Sequence, residues 1–247
     1  MLPDALGDLL LGSRCVGCDR PGRLLCPECA ATLPGAGAPA WPTPTPPGLA
    51  PPYAAASYDG LVRAMVLAHK ERGVLGLAAP LGWLLAGAVA AAAAARGAAG
   101  LLVLVPVPSR PASVRSRGHD PTHTMTVRAA ARLCAAGLPA TPVRLLRLRP
   151  GVADQSGLDA EARWANLAGS MRCPSGSLTR LATRHPRAHV VVCDDVLTTG
   201  ATAREAQRAL EAVGLGVVAI ATPAATRRRA RSGESSGDRL SSQPGTV

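Results

Sequence analysis

Thirteen consecutive residues restrict this chain more than anything else in it: Val190-Val191-Val192-Cys193-Asp194-Asp195-Val196-Leu197-Thr198-Thr199-Gly200-Ala201-Thr202. The opening apolar run has the β-branched content of a strand buried on both faces. Two carboxylates stand at its end, followed by a loop of hydroxyls with one glycine. Residues 203–213 then read as a helix closed by Gly214. A strand feeding a helix through a short loop is the unit of an α/β fold, which binds ligands at the carboxyl ends of its strands. Loop amides and a helix N-terminus offer donors and positive potential to a phosphate. Thr198, Thr199 and Thr202 add hydroxyls, while Gly200, next to Ala201, lets the backbone approach closely. Asp194 and Asp195 are placed to accept hydrogen bonds from the vicinal hydroxyls of a ribose. A plain turn with Asp195 or a threonine as N-cap is compatible with this pattern, but leaves the paired acids and the hydroxyl string unexplained. The Gly-Lys-Ser/Thr of a Walker loop is absent.

Around this unit the chain divides by composition. Residues 1–33 hold four of the seven cysteines. Residues 34–52 are rich in Pro, Gly and Ala and read as a stiff, extended linker. Residues 53–225 alternate strand-like and helix-like segments: strands at 53–58, 101–105, 143–148, 190–193 and 217–221, helices at 61–70, 125–136 and 203–213. That alternation predicts a parallel sheet flanked by helices. Residues 226–247 carry Arg227-Arg228-Arg229-Ala230-Arg231 and a Ser/Gly-rich tail without apolar periodicity, expected to be disordered.

The core has to be built from Ala, Val and Leu, because the chain has no Phe, two Tyr and three Trp. Residues 73–95 are uncharged, which raises the question of a membrane span. They are mostly Ala and Gly, with Pro80 inside, so a packed Ala-rich helix is expected and no membrane span. No secretory signal pattern opens the sequence, and a cytoplasmic location is expected. The formal charge of +11 rests almost wholly on arginine, with Lys70 the single lysine. That balance favours polyanionic partners.

Cys15-x2-Cys18-x7-Cys26-x2-Cys29 presents two thiolate pairs, each able to grip one side of a tetrahedral ion. Four thiolates suit structural zinc and leave no open position for catalysis. The short central spacing suggests a compact knuckle. Two disulfides are disfavoured in a reducing compartment, and an iron–sulfur cluster is the other alternative. Cys134, Cys173 and Cys193 are read as structural, and the five histidines as surface residues.

The 190–202 string resembles the ribose-phosphate signature of type I phosphoribosyltransferases. Over nearly the whole chain the order of elements resembles the ComF family of phosphoribosyltransferase-like proteins. The matching elements are the four cysteines, Lys70-Glu71-Arg72-Gly73, Val105-Pro106-Val107-Pro108, Arg117-Gly118, and Gln155 with Arg163 and Asn166. The chain departs from the family at His119-Asp120-Pro121, where an aromatic residue, Asn and Gln are more usual. The resemblance implies a type I phosphoribosyltransferase-like sheet with an N-terminal zinc knuckle. It implies binding of phosphoribosyl pyrophosphate with Mg²⁺. Asp194, Asp195 and the threonine loop would hold the ribose phosphate; Lys70, Arg110, Arg117, Gln155 and Arg163 would serve the pyrophosphate. Residues 149–170 would form a lid over it.

Two functions are compatible with that expectation. In one, the pocket senses a ligand inside a protein that handles single-stranded DNA with DNA-processing partners in natural transformation, as the family is associated with doing. Arg14, Arg20 and Arg23 in the cysteine module suit a phosphate backbone. In the other, the chain is a phosphoribosyltransferase acting on an unidentified nitrogen nucleophile. The scarcity of aromatics to stack a nucleobase, and the expected lack of a hood after Ala225, lean toward the first.

Overall fold

A computed structural model describes residues 13–149, 169–185 and 187–226. Its centre is a mostly parallel sheet. β2 (Pro52–Ser57), β9 (Val217–Ala225), β7 (His189–Cys193), β3 (Leu102–Pro106) and β4 (Ala140–Pro142) lie side by side in that order, all parallel. β1 (Ala38–Pro39) pairs antiparallel on the outer edge of β2, and β8 (Val196–Leu197) pairs with the end of β9. Strand order reverses at the centre: β3 is followed by β4 on one side, whereas β7 is followed by β9 on the other. Loops leaving β3 and β7 therefore diverge and open a crevice between the two carboxyl ends.

Alternation along the central strands sends side chains to two cores. Leu102, Leu104, Val191 and Cys193 face α2 (Gly60–Glu71), α3 (Ala78–Arg96) and α5 (Pro121–Ala135). Val103, Val105, Val190 and Val192 face α6 (Ser175–Arg184) and α7 (Ala201–Glu211). These eight side chains are almost wholly excluded from solvent, as a strand covered on both faces requires.

The Ala-rich stretch is α3, and its composition has a steric reason. A Cβ on Gly82 would stand 2.5 Å from the Cβ of Arg128 and 2.9 Å from the carbonyl oxygen of Met125 on α5. Only a helix with almost no side-chain volume on that face can cross so closely. Pro80 falls in the first turn, where its missing N–H costs nothing. Among the described residues, Leu75–Arg96 is the one helix long and apolar enough to cross a membrane, and it is mostly buried against α5 and the sheet.

Several elements differ from the sequence reading. Residues 143–148 are not one strand: β4 ends at Pro142 and β5 (Arg147–Leu148) starts later. Leu145 and Leu146 are adjacent and both buried, which no alternating strand permits. β9 runs to Ala225, its pairing skipping Pro223 and resuming at Ala224. α5 starts earlier than residue 125, capped by Asp120 with Pro121 at its first position. α4 (Pro111–Arg117) and α6 were not foreseen. The segment expected as a linker is laid along the large domain. A Cβ on Gly37 would meet Ala88 Cα at 2.5 Å, and Gln207 Nε2 donates to Gly48 O at 2.9 Å while Gln207 Oε1 accepts from Ala50 N at 2.8 Å. The Arg227–Arg231 tail lies outside the described residues.

Candidate functional site

The crevice at the strand reversal is a cleft of about 840 Å³. Register sets its walls. Pro106 pairs with Cys193, and Val107 N donates to Cys193 O at 2.8 Å, so the Pro-x-Pro loop leaves the sheet beside the paired acids. Lys70, Arg110, Arg117, Asp194, Asp195, Thr198 and Thr202 all line the cleft. Tyr58, Glu71, Ser109, Ser113 and Thr122 share it without having been singled out. Glu71 was legible only as the neighbour of Lys70. Gln155, Arg163 and Asn166, with most of the 149–170 segment, lie outside the described residues. The chain leaves and returns at one stem, where Arg149 N donates to Ser170 O at 2.8 Å and β5 pairs with β6 (Met171–Arg172).

The two acids stand in unlike surroundings. Asp194 is 8% exposed, and its Oδ1 accepts from Asp195 N at 2.8 Å. Burial, with the Asp195 carboxylate beside it, pushes the Asp194 carboxyl up to about 8, against the opposing pull of Lys70. Asp195 Oδ2 meets Lys70 Nζ at 2.5 Å. That oxygen is buried and has no well-angled hydrogen bond, so the contact is held by charge more than by direction. Burial works against the Lys70 ammonium, but the Asp195 charge outweighs it and the Lys70 value rises.

The threonine loop opens α7, with Gly200 at φ 76° and Ala201 N donating to Thr199 Oγ1 at 3.4 Å. The missing Cβ of Gly200 makes room for the Pro-rich segment: it would lie 3.1 Å from Pro42, and 3.2 Å from both Pro46 and Leu49. The glycine is therefore required by its backbone conformation and by packing behind the loop. Gly200→Ala is expected to cost on the order of 2 kcal/mol or more, from left-handed strain plus crowding. An unchanged urea midpoint would show that the Pro-rich segment gives way freely.

The His119-Asp120-Pro121 departure has a structural role. Asp120 Oδ1 accepts from His123 N at 3.3 Å, capping α5, and from Ser109 Oγ at 3.0 Å, tying that cap to the Pro-x-Pro loop. The ring nitrogens of His119 lie 3.2 Å from the carbonyl oxygens of Arg117 and His69. Arg117 pairs with Glu71 at 2.5 Å. Together these contacts hold the ends of α2 and α4 at one side of the cleft. His69 is not a surface residue: it is 2% exposed, its ring facing the carbonyls of Val74 and Pro121, and burial lowers its value.

Away from the cleft, the Sγ atoms of Cys15, Cys18, Cys26 and Cys29 all lie within 4.8 Å of one another, with Cys18 and Cys26 3.6 Å apart. A tetrahedron with metal–sulfur bonds of about 2.3 Å has edges near this length, so the donors fit a zinc ion. Gly17 is needed between the first pair, since a Cβ there would stand 2.9 Å from Cys29 Sγ and 2.8 Å from Leu61. Burial would raise the Cys15 thiol, but N–H groups of Cys26, Cys18 and Gly17 bring it down to about 6. A hydrogen bond with the Cys26 sulfur, with burial, drives the Cys29 thiol up to about 12. Four such sulfurs are all thiolates only when a cation sits among them. Arg14 pairs with Asp19 at 2.7 Å and Arg20 with Glu28 at 2.8 Å, so two of the module's arginines already have anionic partners.

Fold and site define a mixed α/β protein with a charged cleft at its strand reversal and a four-cysteine cluster compatible with a zinc knuckle. Compared with known proteins, the chain matches no protein-family model and no curated protein sequence.

Proposed function

We propose that the cleft binds phosphoribosyl pyrophosphate, or a closely related ribose 5-phosphate ligand, in a ComF-like protein that handles single-stranded DNA. The observation that carries the ligand reading is the meeting of the Asp194–Asp195 pair, Thr198 and Thr202 of the threonine loop, and three cationic side chains in one cleft, whose lining does not include Thr199, Gly200 or Ala201. The acids suit vicinal hydroxyls, the loop and α7 suit the 5-phosphate, and Lys70 with the arginines suits the diphosphate. Mg²⁺ carried by the diphosphate would offset its charge. The DNA role rests on the resemblance and on the +11 charge. A transferase is the second reading, favoured by a volume of about 840 Å³, near the upper end of small-molecule sites, which leaves space for an acceptor beside Tyr58.

Calorimetry tests both parts. Phosphoribosyl pyrophosphate with Mg²⁺ is expected to bind in the micromolar range, on the order of −7 to −8 kcal/mol. No heat at millimolar ligand would remove the ligand reading. At physiological salt, single-stranded oligonucleotides are expected to bind more tightly than duplexes. Equal binding to both and to heparin would remove the DNA role and put the transferase first.

A further inference from the structure

We propose that the Lys70–Asp195 ion pair is a latch that makes the cleft prefer a sugar phosphate bearing a second anionic group over the sugar phosphate alone. The inference rests on reading the cleft as a ribose 5-phosphate site. Asp195 is one of the two acids that would receive the ribose hydroxyls, and its side chain is 14% exposed. Its buried Oδ2 is occupied by the Lys70 ammonium at 2.5 Å. Arg117, on the same wall, is likewise engaged by Glu71 at 2.5 Å. Two of the cleft's cations are thus neutralised by acids of the cleft itself.

A ligand whose hydroxyls take Asp195 Oδ2 displaces Lys70 and parts its ammonium from its nearest counter-charge in a partly buried position, leaving only the longer-range pull of Asp194 and Glu71. Its 5-phosphate does not repair this, because the threonine loop and the N-terminus of α7 claim that group. A ligand with a diphosphate at the other end of the ribose exchanges partner for partner. Hydroxyls take Asp195, the diphosphate takes Lys70, and no charge is stranded. Lys70 sits at the end of α2 on a long side chain that is 41% exposed, so it can swing between the two anions without moving the helix.

The test compares two probes on the full chain, ribose 5-phosphate and phosphoribosyl pyrophosphate, each with Mg²⁺, against the parent, Lys70→Met and Lys70→Arg. With the latch removed in Lys70→Met, ribose 5-phosphate is expected to bind severalfold more tightly. Phosphoribosyl pyrophosphate should bind about tenfold more weakly, the loss expected for a desolvated charge pair. Lys70→Arg should keep the parent's order of preference, which guards against a folding defect in the neutral variant. A parent that binds neither probe overturns the reading of the cleft itself. A parent that binds both, with Lys70→Met weakening both or leaving ribose 5-phosphate unchanged, overturns the latch alone.

Discussion

Asp194→Asn is expected to raise the melting temperature at neutral to alkaline pH while lowering affinity for the sugar-phosphate ligand. The Asp194 carboxyl stands near 8 in the folded chain, driven first by burial and then by Asp195. In the unfolded chain it titrates near 3.9. Between those values the folded protein holds a proton that the unfolded chain has released. The stability contribution of Asp194 is therefore present in full below about 4 and lost progressively as pH rises through about 8. Asn keeps the acceptor oxygen that receives Asp195 N but never ionises. The gain should be on the order of a few kcal/mol above pH 8 and should shrink toward acid. Melting curves from about pH 5 to pH 9 check the sign, and a variant that gains nothing at high pH refutes it. His69 acts in the opposite direction: its buried, lowered value costs stability as pH falls below its ordinary 6.5. The double variant with Asp195→Asn should lose most ribose binding with the fold intact. Undiminished affinity would mean that the two acids do not hold the ribose.

Removing the metal should have the second large effect. One zinc per chain is expected on Cys15, Cys18, Cys26 and Cys29, with a binding free energy on the order of 10 kcal/mol. Cys26→Ser, or a strong chelator, is expected to release it and to lower the stability of more than the cysteine module. Val16, Leu24, Leu25 and Leu33 pack against the same core as α2 and α3. A Cβ on Gly76 would stand 2.6 Å from Leu24, so the module sits directly on the short turn Leu75–Leu77. Elemental analysis, with hydrogen exchange before and after chelation, tests this. Iron, or no metal under reducing conditions, contradicts the assignment, and exchange confined to residues before 34 contradicts the coupling.

What the sequence disclosed was what local chemistry writes down. The valine run of β7, the acids at its end and the Thr-Thr-Gly loop entering α7 are contiguous, and each signals its conformation without help from elsewhere. The cysteines were legible for the same reason. Missed features depend on partners far along the chain. The burial of His69 is decided by the carbonyls of Val74 and Pro121. Gly200 read as a residue yielding to a ligand, because nothing local shows Pro42, Pro46 and Leu49 arriving behind it. Helix α4 was hidden by its serines and arginines, which carry no apolar stripe. Residues 143–148 looked like a strand because Leu145 and Leu146 are apolar, yet both are buried in an irregular stretch between β4 and β5.

The path of the Pro-rich segment bears on how this protein can be cut. By composition the boundary falls just before Tyr53, and a truncation there would look like a clean excision of the large α/β domain from its appendage. It would instead remove the footing of the loop. Pro42, Pro46 and Leu49 back Gly200, Arg204 donates to Pro47 O at 3.0 Å, and Gln207 is bonded to Gly48 and Ala50. All of these contacts reach forward from the piece that would be discarded. The first turns of α7 would lose their covering, and the Thr198–Thr202 loop would be left supported on one side only. A minimal fragment or domain graft that keeps this footing begins upstream of Gly35, whose carbonyl oxygen would stand 2.9 Å from a Cβ on Gly87, so that the prolines travel with the loop they support.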